Sequence, residues 1–327
     1  MAKPMGYSFQ EALISRFVGT SLAVTHLSYD DKKALAKNIL SDPIYKDASP
    51  FSRDSIEFKY HLFGLFSRAD PKFPWLDSKK TTVIDPTSIV VKKGRYESVY
   101  NGNIYHFSIG SAVHFYDDAL FSVIVPGKFQ LHTILDGVSE CTGGRRAADL
   151  VRVALIRAVS IGLVSSSEDI VDFLKAMHGD LAREGLKTTA SMVFVGPGTH
   201  KFIKIGDSPV GFILGRGGSF PDQTCDPGYE GHDMRMLGND SGYVPPLVVT
   251  AASLPTEAVL ALYSDGLGDS STSRAIASLL QRRKISKGQY DWNGFGDELV
   301  SVLSQGFFER DGIRYVFDDV SLILVSK

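Results

Sequence analysis

Residues 258–269 read AVLALYSDGLGD. An unbroken apolar run, Ala258–Tyr263, gives way after one serine to an acidic, glycine-rich turn that opens at Asp265. Six apolar residues are too few for a buried helix and fit a strand covered on both faces. The pattern recurs. YHFSIGSAVHF (105–115), KFQLHTILD (128–136), TASMVFV (189–195), HKFIKIGD (200–207), VGFILG (210–215) and VSLILVS (320–326) are rich in Val, Ile and Phe and bounded by turn residues.

Helical spacing lies between these runs. Arg145–Ile161 carries Ala148, Val151, Ala154, Leu155 and Ala158 at helical intervals, and Asp169–Leu181 continues with Ile170, Phe173, Leu174 and Met177. Two more helices are predicted at Ser273–Gln281 and Asp297–Gln305. Strands come as adjacent pairs, such as 190–195 with 201–205, rather than in strict alternation with helices. That order predicts an α+β chain with mostly antiparallel sheets. Residues 1–92 differ in texture. Ser28 is placed to cap a helix ending before Pro43, and Pro50, Pro71, Pro74 and Pro86 then punctuate an aromatic-rich stretch. Tyr60, Phe63, Phe66, Phe73 and Trp75 imply burial rather than disorder. We expect an N-terminal extension over 1–92, packing on or regulating a domain at 93–327.

Bulk properties narrow the functions. The chain has 327 residues, 43% hydrophobic and 22% charged, with a net charge of −2. No basic field is available for nucleic acid. No stretch approaches the roughly 20 apolar residues of a membrane helix, so no membrane partner is expected. The N-terminus lacks a continuous apolar core of the signal-peptide kind. With only two cysteines, Cys141 and Cys225, no disulfide framework is expected, and a reducing cytoplasm is the simpler expectation. A monomer is expected.

Acidic residues sit at the strand ends. Asp117 and Asp118 interrupt HFYDDALFSV, Asp136 ends LHTILDG, Asp207 ends FIKIGDS, Asp265 ends LALYSDG, and Asp318 and Asp319 open FDDVSLILV. Any one of them suits an ordinary turn, because Asp and Gly favour turn geometry. As a set, they would repel strongly if the strand ends converge. Oxygen ligands without His or Cys then point to a hard cation, Mg²⁺ or Mn²⁺. Two such ions acidify water, neutralise phosphate oxygens and hold an ester for in-line attack. There is no GxSxG, P-loop or HExxH to compete with that route.

The ordered set YDDA, LDGV, TTAS, IGDSPVG, YSDGLGD and FDDVSLILV resembles the signature of the PP2C-like (PPM) metal-dependent serine/threonine phosphatases, over roughly residues 94–327. The resemblance implies a four-layer α-β-β-α sandwich of two mostly antiparallel sheets flanked by helices. It also implies phosphoserine and phosphothreonine hydrolysis in a phosphorylated protein substrate, with two Mn²⁺ or Mg²⁺ ions per site. Asp136 would bridge both ions, Asp265 and Asp318 would complete one site, and Asp118 would serve the second with Asp117 beside it. The Gly137 carbonyl would coordinate too. Asp207, with Asp265 and Asp269, would form a weaker third site. Asp118, Asp136, Asp265 and Asp318 are thus the expected catalytic set.

Three positions depart from the pattern. Val138 stands where many members have a His that serves as general acid. Val113 stands where many have a phosphate-clamping Arg; His114, Arg145 and Arg146 are the substitutes at hand. Asp319 stands where Asn is usual and adds a charge. Cys141 lies in the loop 138–144, and the Gly-rich stretch 215–243 falls where the family carries a variable flap. Two other readings stay open: a pseudophosphatase that binds without turnover, or a hydrolase for a small phosphorylated metabolite.

Overall fold

The computed structural model describes residues 81–86, 96–109, 117–138, 143–160, 164–213, 236–239, 242–251, 258–267, 270–303, 308–310, 313–315 and 319–326. Within the chain, Lys80–Val153 and Ser165–Lys327 form one compact unit. The Ser28 helix, most of the Gly-rich stretch and the positions of Val113, His114, Cys141, Asp269 and Asp318 lie outside the described residues.

Eleven strands make two sheets. The first has the order β1 (Thr82–Ile84), β4 (Ala119–Val125), β5 (Phe129–Leu135), β6 (Ala190–Gly196), β7 (Thr199–Ile205) and β9 (Leu247–Ala251). The second has the order β2 (Tyr96–Asn101), β3 (Ile104–Ile109), β15 (Val320–Val325), β10 (Val259–Tyr263) and β8 (Val210–Ile213). Every pairing in both is antiparallel. The predicted hairpin is β6 with β7, in the register Ala190 to Ile205. β1 lies inside the stretch assigned to the N-terminal extension, yet it pairs with β4 at the edge of the first sheet.

Strand alternation sorts the side chains. Leu120, Ile134, Val193 and Phe202 of the first sheet meet Ile104, Val210, Leu260, Leu262, Ile323 and Val325 of the second in one buried cluster. That cluster is the seam of the sandwich. The opposite face of the second sheet presents Tyr105, Phe107, Ala261, Tyr263, Leu322 and Leu324. These pack with Ile276, Leu279 and Leu280 of α3 (Ser270–Arg282) and with Trp292, Phe295 and Leu299 of α4 (Trp292–Leu303). On the first sheet, Arg152 of α1 (Gly144–Ser160) pairs with Asp85 beside β1, and Glu168 of α2 (Ser167–Glu184) pairs with Lys201 of β7. Two sheets with helices on each outer side give the expected α+β sandwich.

Helix starts follow local chemistry. α2 opens with a capping box: Ser166 accepts from the Asp169 peptide N–H while the Asp169 side chain accepts from Ser166. α4 begins at Trp292, five residues before the predicted Asp297, because Asp291 Oδ1 accepts the Gly294 N–H at 3.0 Å and caps the helix. Two further hairpins are short, β11 (Lys284–Ser286) with β12 (Gln289–Tyr290) and β13 (Phe308–Arg310) with β14 (Ile313–Tyr315). Among the described residues, no helix is long and apolar enough to cross a membrane.

Candidate metal centre

The seam changes character at one end. β4 and β5 run antiparallel with Ala119 opposite Leu135, so Asp118 and Asp136 leave the first sheet side by side. Both keep the inward parity of Leu120 and Ile134. Across the seam, Ser264 follows Leu262 by two residues, and Ser321 and Asp319 precede Ile323 by two and four. The apolar core therefore ends in a layer of hydroxyls and carboxylates drawn from both sheets. Ser264, Ser321, Ser208, Asp118 and Asp319 in this layer are all buried.

Asp118 is 2% exposed. The hydroxyls of Ser264 and Ser321 lie beside its carboxyl, but its Oδ2 is buried without a partner. Burial holds the Asp118 carboxyl well above the usual carboxylate range, and the neighbouring charges of Asp319 and Asp265 push it further. The Asp136 carboxyl is raised too, by burial first, then by Asp118, Asp265 and Asp207. One carboxylate oxygen each from Asp136, Asp207 and Asp265 lies within 4.8 Å of the others. Asp136 and Asp207 are half-buried and Asp265 is exposed, so the group opens to solvent on the Asp265 side.

Backbone geometry brings these residues so close. Gly137 is buried where any Cβ would lie 2.4 Å from the Gly144 carbonyl and 2.7 Å from the Asp117 oxygen. Gly137 thereby lies against the start of α1. Gly206 has φ of +99° and sits against the Thr189 side chain, 2.6 Å from where its Cβ would be. Only glycine turns β7 there and delivers Asp207 to the cluster.

The remaining sequence candidates fall as follows. Asp117 donates its peptide N–H to Asp319 Oδ2 at 2.7 Å. Arg145 reaches in from α1, donating from Nη1 to the Asp118 carbonyl at 2.6 Å and from Nε to Asp149 at 2.9 Å. Arg146 pairs with Glu184 of α2. Val138 donates its peptide N–H to the Lys187 carbonyl. Sequence reasoning gave no role to Ser264, Ser321 or Thr189. Their signal was weak: Ser264 and Ser321 are small hydroxyl residues at inward parity, one or two positions from a strand-end aspartate, and Thr189 is a hydroxyl residue just before β6.

This donor set fits a hard cation. It offers carboxylates and small hydroxyls, it leaves one buried oxygen unpaired, and its carboxyls raise one another.

No family model matches the sequence, and no curated protein matches it. Solved structures do. A bacterial serine phosphatase superposes with a TM-score of 0.52 at 17% identity, covering 69% of this chain and 98% of its own. The serine/threonine phosphatase Stp1 from Staphylococcus aureus gives 0.53 at 19% identity, covering 72% of this chain and 99% of its own. The chain has the fold of these serine/threonine phosphatases, as its ordered PP2C-like motifs imply.

Proposed function

We propose that the protein is a metal-dependent phosphatase that hydrolyses phosphoserine and phosphothreonine in proteins. One observation carries the reading: three carboxylates within 4.8 Å, beside a fourth that is buried with an unpaired oxygen. The likeness in fold to serine/threonine phosphatases supports it.

Asp118, Asp136, Asp265 and Asp318 are the residues that would hold two Mn²⁺ or Mg²⁺ ions, with Asp117 and the Gly137 carbonyl alongside. Asp207 and Asp269 would serve a third. Bound there, the ions supply Lewis acidity, acidifying water and neutralising phosphate oxygens. The chain's own residues do the rest. Ser321 is placed to donate to the Asp118 carboxylate, while Ser264 donates to the Asp319 carbonyl and fixes the backbone beside it. Arg145 pins the Asp118 backbone and brings a positive charge to the rim. His114, Arg145 and Arg146 are assigned to the phosphate oxygens; Arg145 pairs with Asp149, and Arg146 with Glu184. Position 138 is a valine, so no side chain there protonates the departing alcohol, and water supplies that proton.

Val138 also favours a second reading, an adaptor that binds metal without turnover. Phosphate release from a phosphopeptide, p-nitrophenyl phosphate, a nucleotide and a sugar phosphate, each with and without Mn²⁺, decides between them. Phosphopeptide turnover that needs Mn²⁺ and disappears in Asp136→Asn supports the enzyme. Mn²⁺ binding with no turnover of any substrate supports the adaptor, and turnover confined to a small ester moves the substrate class.

A further inference from the structure

Asp136 is held by a circuit of hydrogen bonds that begins and ends on itself. Its peptide nitrogen lies 3.1 Å from Thr189 Oγ1. Thr189 Oγ1 lies 3.1 Å from Ser208 Oγ, and Ser208 Oγ lies 3.4 Å from Asp136 Oδ2. With the Asp136 carboxyl ionised, as a cation ligand must be, the direction of the circuit is fixed at both ends. A peptide N–H only donates, and an ionised carboxylate only accepts. Thr189 therefore accepts from the Asp136 N–H and spends its single proton on Ser208. Ser208 in turn spends its single proton on the Asp136 carboxylate.

The circuit is dry and braced. Ser208 is fully buried and Thr189 is 3% exposed, so water does not compete for either hydroxyl. The Asp136 carbonyl accepts from Thr188 Oγ1 at 2.8 Å and from the Thr189 peptide N–H at 2.8 Å. Ser191 Oγ donates to the Ser208 carbonyl at 2.5 Å. Gly206 packs against the Thr189 side chain and keeps it from turning away.

We infer that Thr189 and Ser208 are positioning residues for Asp136. They lock its carboxylate in one orientation toward Asp207 and Asp265, against the repulsion among these neighbouring carboxylates. A ligand held in place before the cation arrives binds it more tightly, because no ordering is left to be done at that step. The inference rests on reading the cluster as a metal centre, and it assigns the TTAS and GDS motifs one joint task.

Two measurements on the full chain test it. The first is Mn²⁺ affinity by calorimetry, below the melting temperature of each variant. Thr189→Val and Ser208→Ala should each weaken binding roughly tenfold, the usual loss for a group that orients a ligand. Thr189→Ser, which keeps the hydroxyl, should bind as wild type does. The double variant Thr189→Val/Ser208→Ala should be no weaker than either single one, since one break opens the whole circuit. A merely structural role would lower the melting temperature and leave affinity unchanged, and that result, or fully additive losses, overturns the inference. The second needs no metal. In EDTA, the χ1 couplings of Asp136 by NMR should report one fixed rotamer in wild type and Thr189→Ser, and averaging in Thr189→Val and Ser208→Ala. If wild type binds no Mn²⁺, the metal-centre reading fails while the couplings still decide the circuit. A single rotamer in all four proteins overturns the positioning role.

Discussion

The Asp117 peptide N–H donates to the Asp319 carboxylate across 202 residues of sequence, at 2.7 Å. It ties the residue before Asp118 to the residue before β15. The Asp319 carbonyl is held as well, by Ser264 Oγ at 3.1 Å. The bond has two sides. It anchors the backbone beside the centre, and it places a buried negative charge next to Asp118. Asp319→Asn keeps an oxygen to accept the bond and removes the charge, so the metal-free protein should melt no lower than wild type. Asp319→Ala strands the Asp117 N–H and should cost about 1–3 kcal/mol. Thermal denaturation in EDTA separates the two; equal melting of Asp319→Ala and Asp319→Asn would show that the anchor is idle.

Asp136→Asn should end turnover and weaken Mn²⁺ binding by more than the roughly 10–100-fold that a supporting group costs. Asp207→Ala should lower activity while the main cations stay bound. Calorimetric titration with Mn²⁺ beside a phosphopeptide assay reads both. Wild-type turnover in Asp136→Asn removes the mechanism.

Asp118 and Asp136 have carboxyl groups raised above their unfolded values. Groups raised in the folded state stabilise it below the ordinary carboxylate pKa, and that stability is lost as pH rises through the folded pKa. The cluster therefore costs the metal-free protein more stability at pH 8 than at low pH. Asp118→Asn relieves it, so in EDTA this variant should melt above wild type at pH 8, with the gap narrowing as pH falls. Mn²⁺ should raise the melting temperature of wild type more at pH 8 than at pH 6, because protons compete for the same oxygens. A gap that does not change with pH would assign the relief to packing.

Much of this was readable before any coordinates. The strand runs ending in Asp marked β5, β7 and β10, because a short apolar run and an abrupt polar stop are both local signals. The same run logic marked β6 and its hairpin with β7. α1 and α2 were marked by helical spacing. What escaped the sequence was long-range or too short. β1 is three residues, below the length at which alternation can be recognised. The α4 start depends on one Asp291 cap bond placed before an undistinguished WNGFG run. Ser264 and Ser321 meet Asp118 only because two sheets stack, and no spacing rule pairs positions 118 and 264.

The seam holds one more polar device. His106 Nε2 lies 2.9 Å from Ser122 Oγ, which lies 2.7 Å from His132 Nδ1, and His132 Nε2 lies 3.3 Å from Gln130 Oε1. With the Gln130 oxygen accepting, His132 carries its proton on Nε2, Ser122 donates to His132 Nδ1, and His106 donates from Nε2 to Ser122. His106 Nδ1 is then a buried lone pair without a partner. Both rings are fully buried, and burial pushes each down to about 3, with His132 adding to the effect on His106. The unfolded chain therefore binds more protons than the folded one between about pH 3 and the ordinary 6.5. The stability that the neutral pair permits is fully present above 6.5 and is lost as pH falls toward 3, by about 1.4 kcal/mol per histidine per pH unit. The carboxylate cluster works in the opposite direction in that window, so the clean comparison uses Asp118→Asn as background. There, urea unfolding between pH 4.5 and 6.5 should steepen in favour of the unfolded state, and adding His132→Gln should flatten the slope by about one proton. Ser122→Ala leaves two ring nitrogens unpaired between the sheets and should cost about 1–3 kcal/mol at pH 7.5. If His132→Gln leaves the slope unchanged, the histidines already take up protons in the folded protein, and the dry seam argued from their burial is wet.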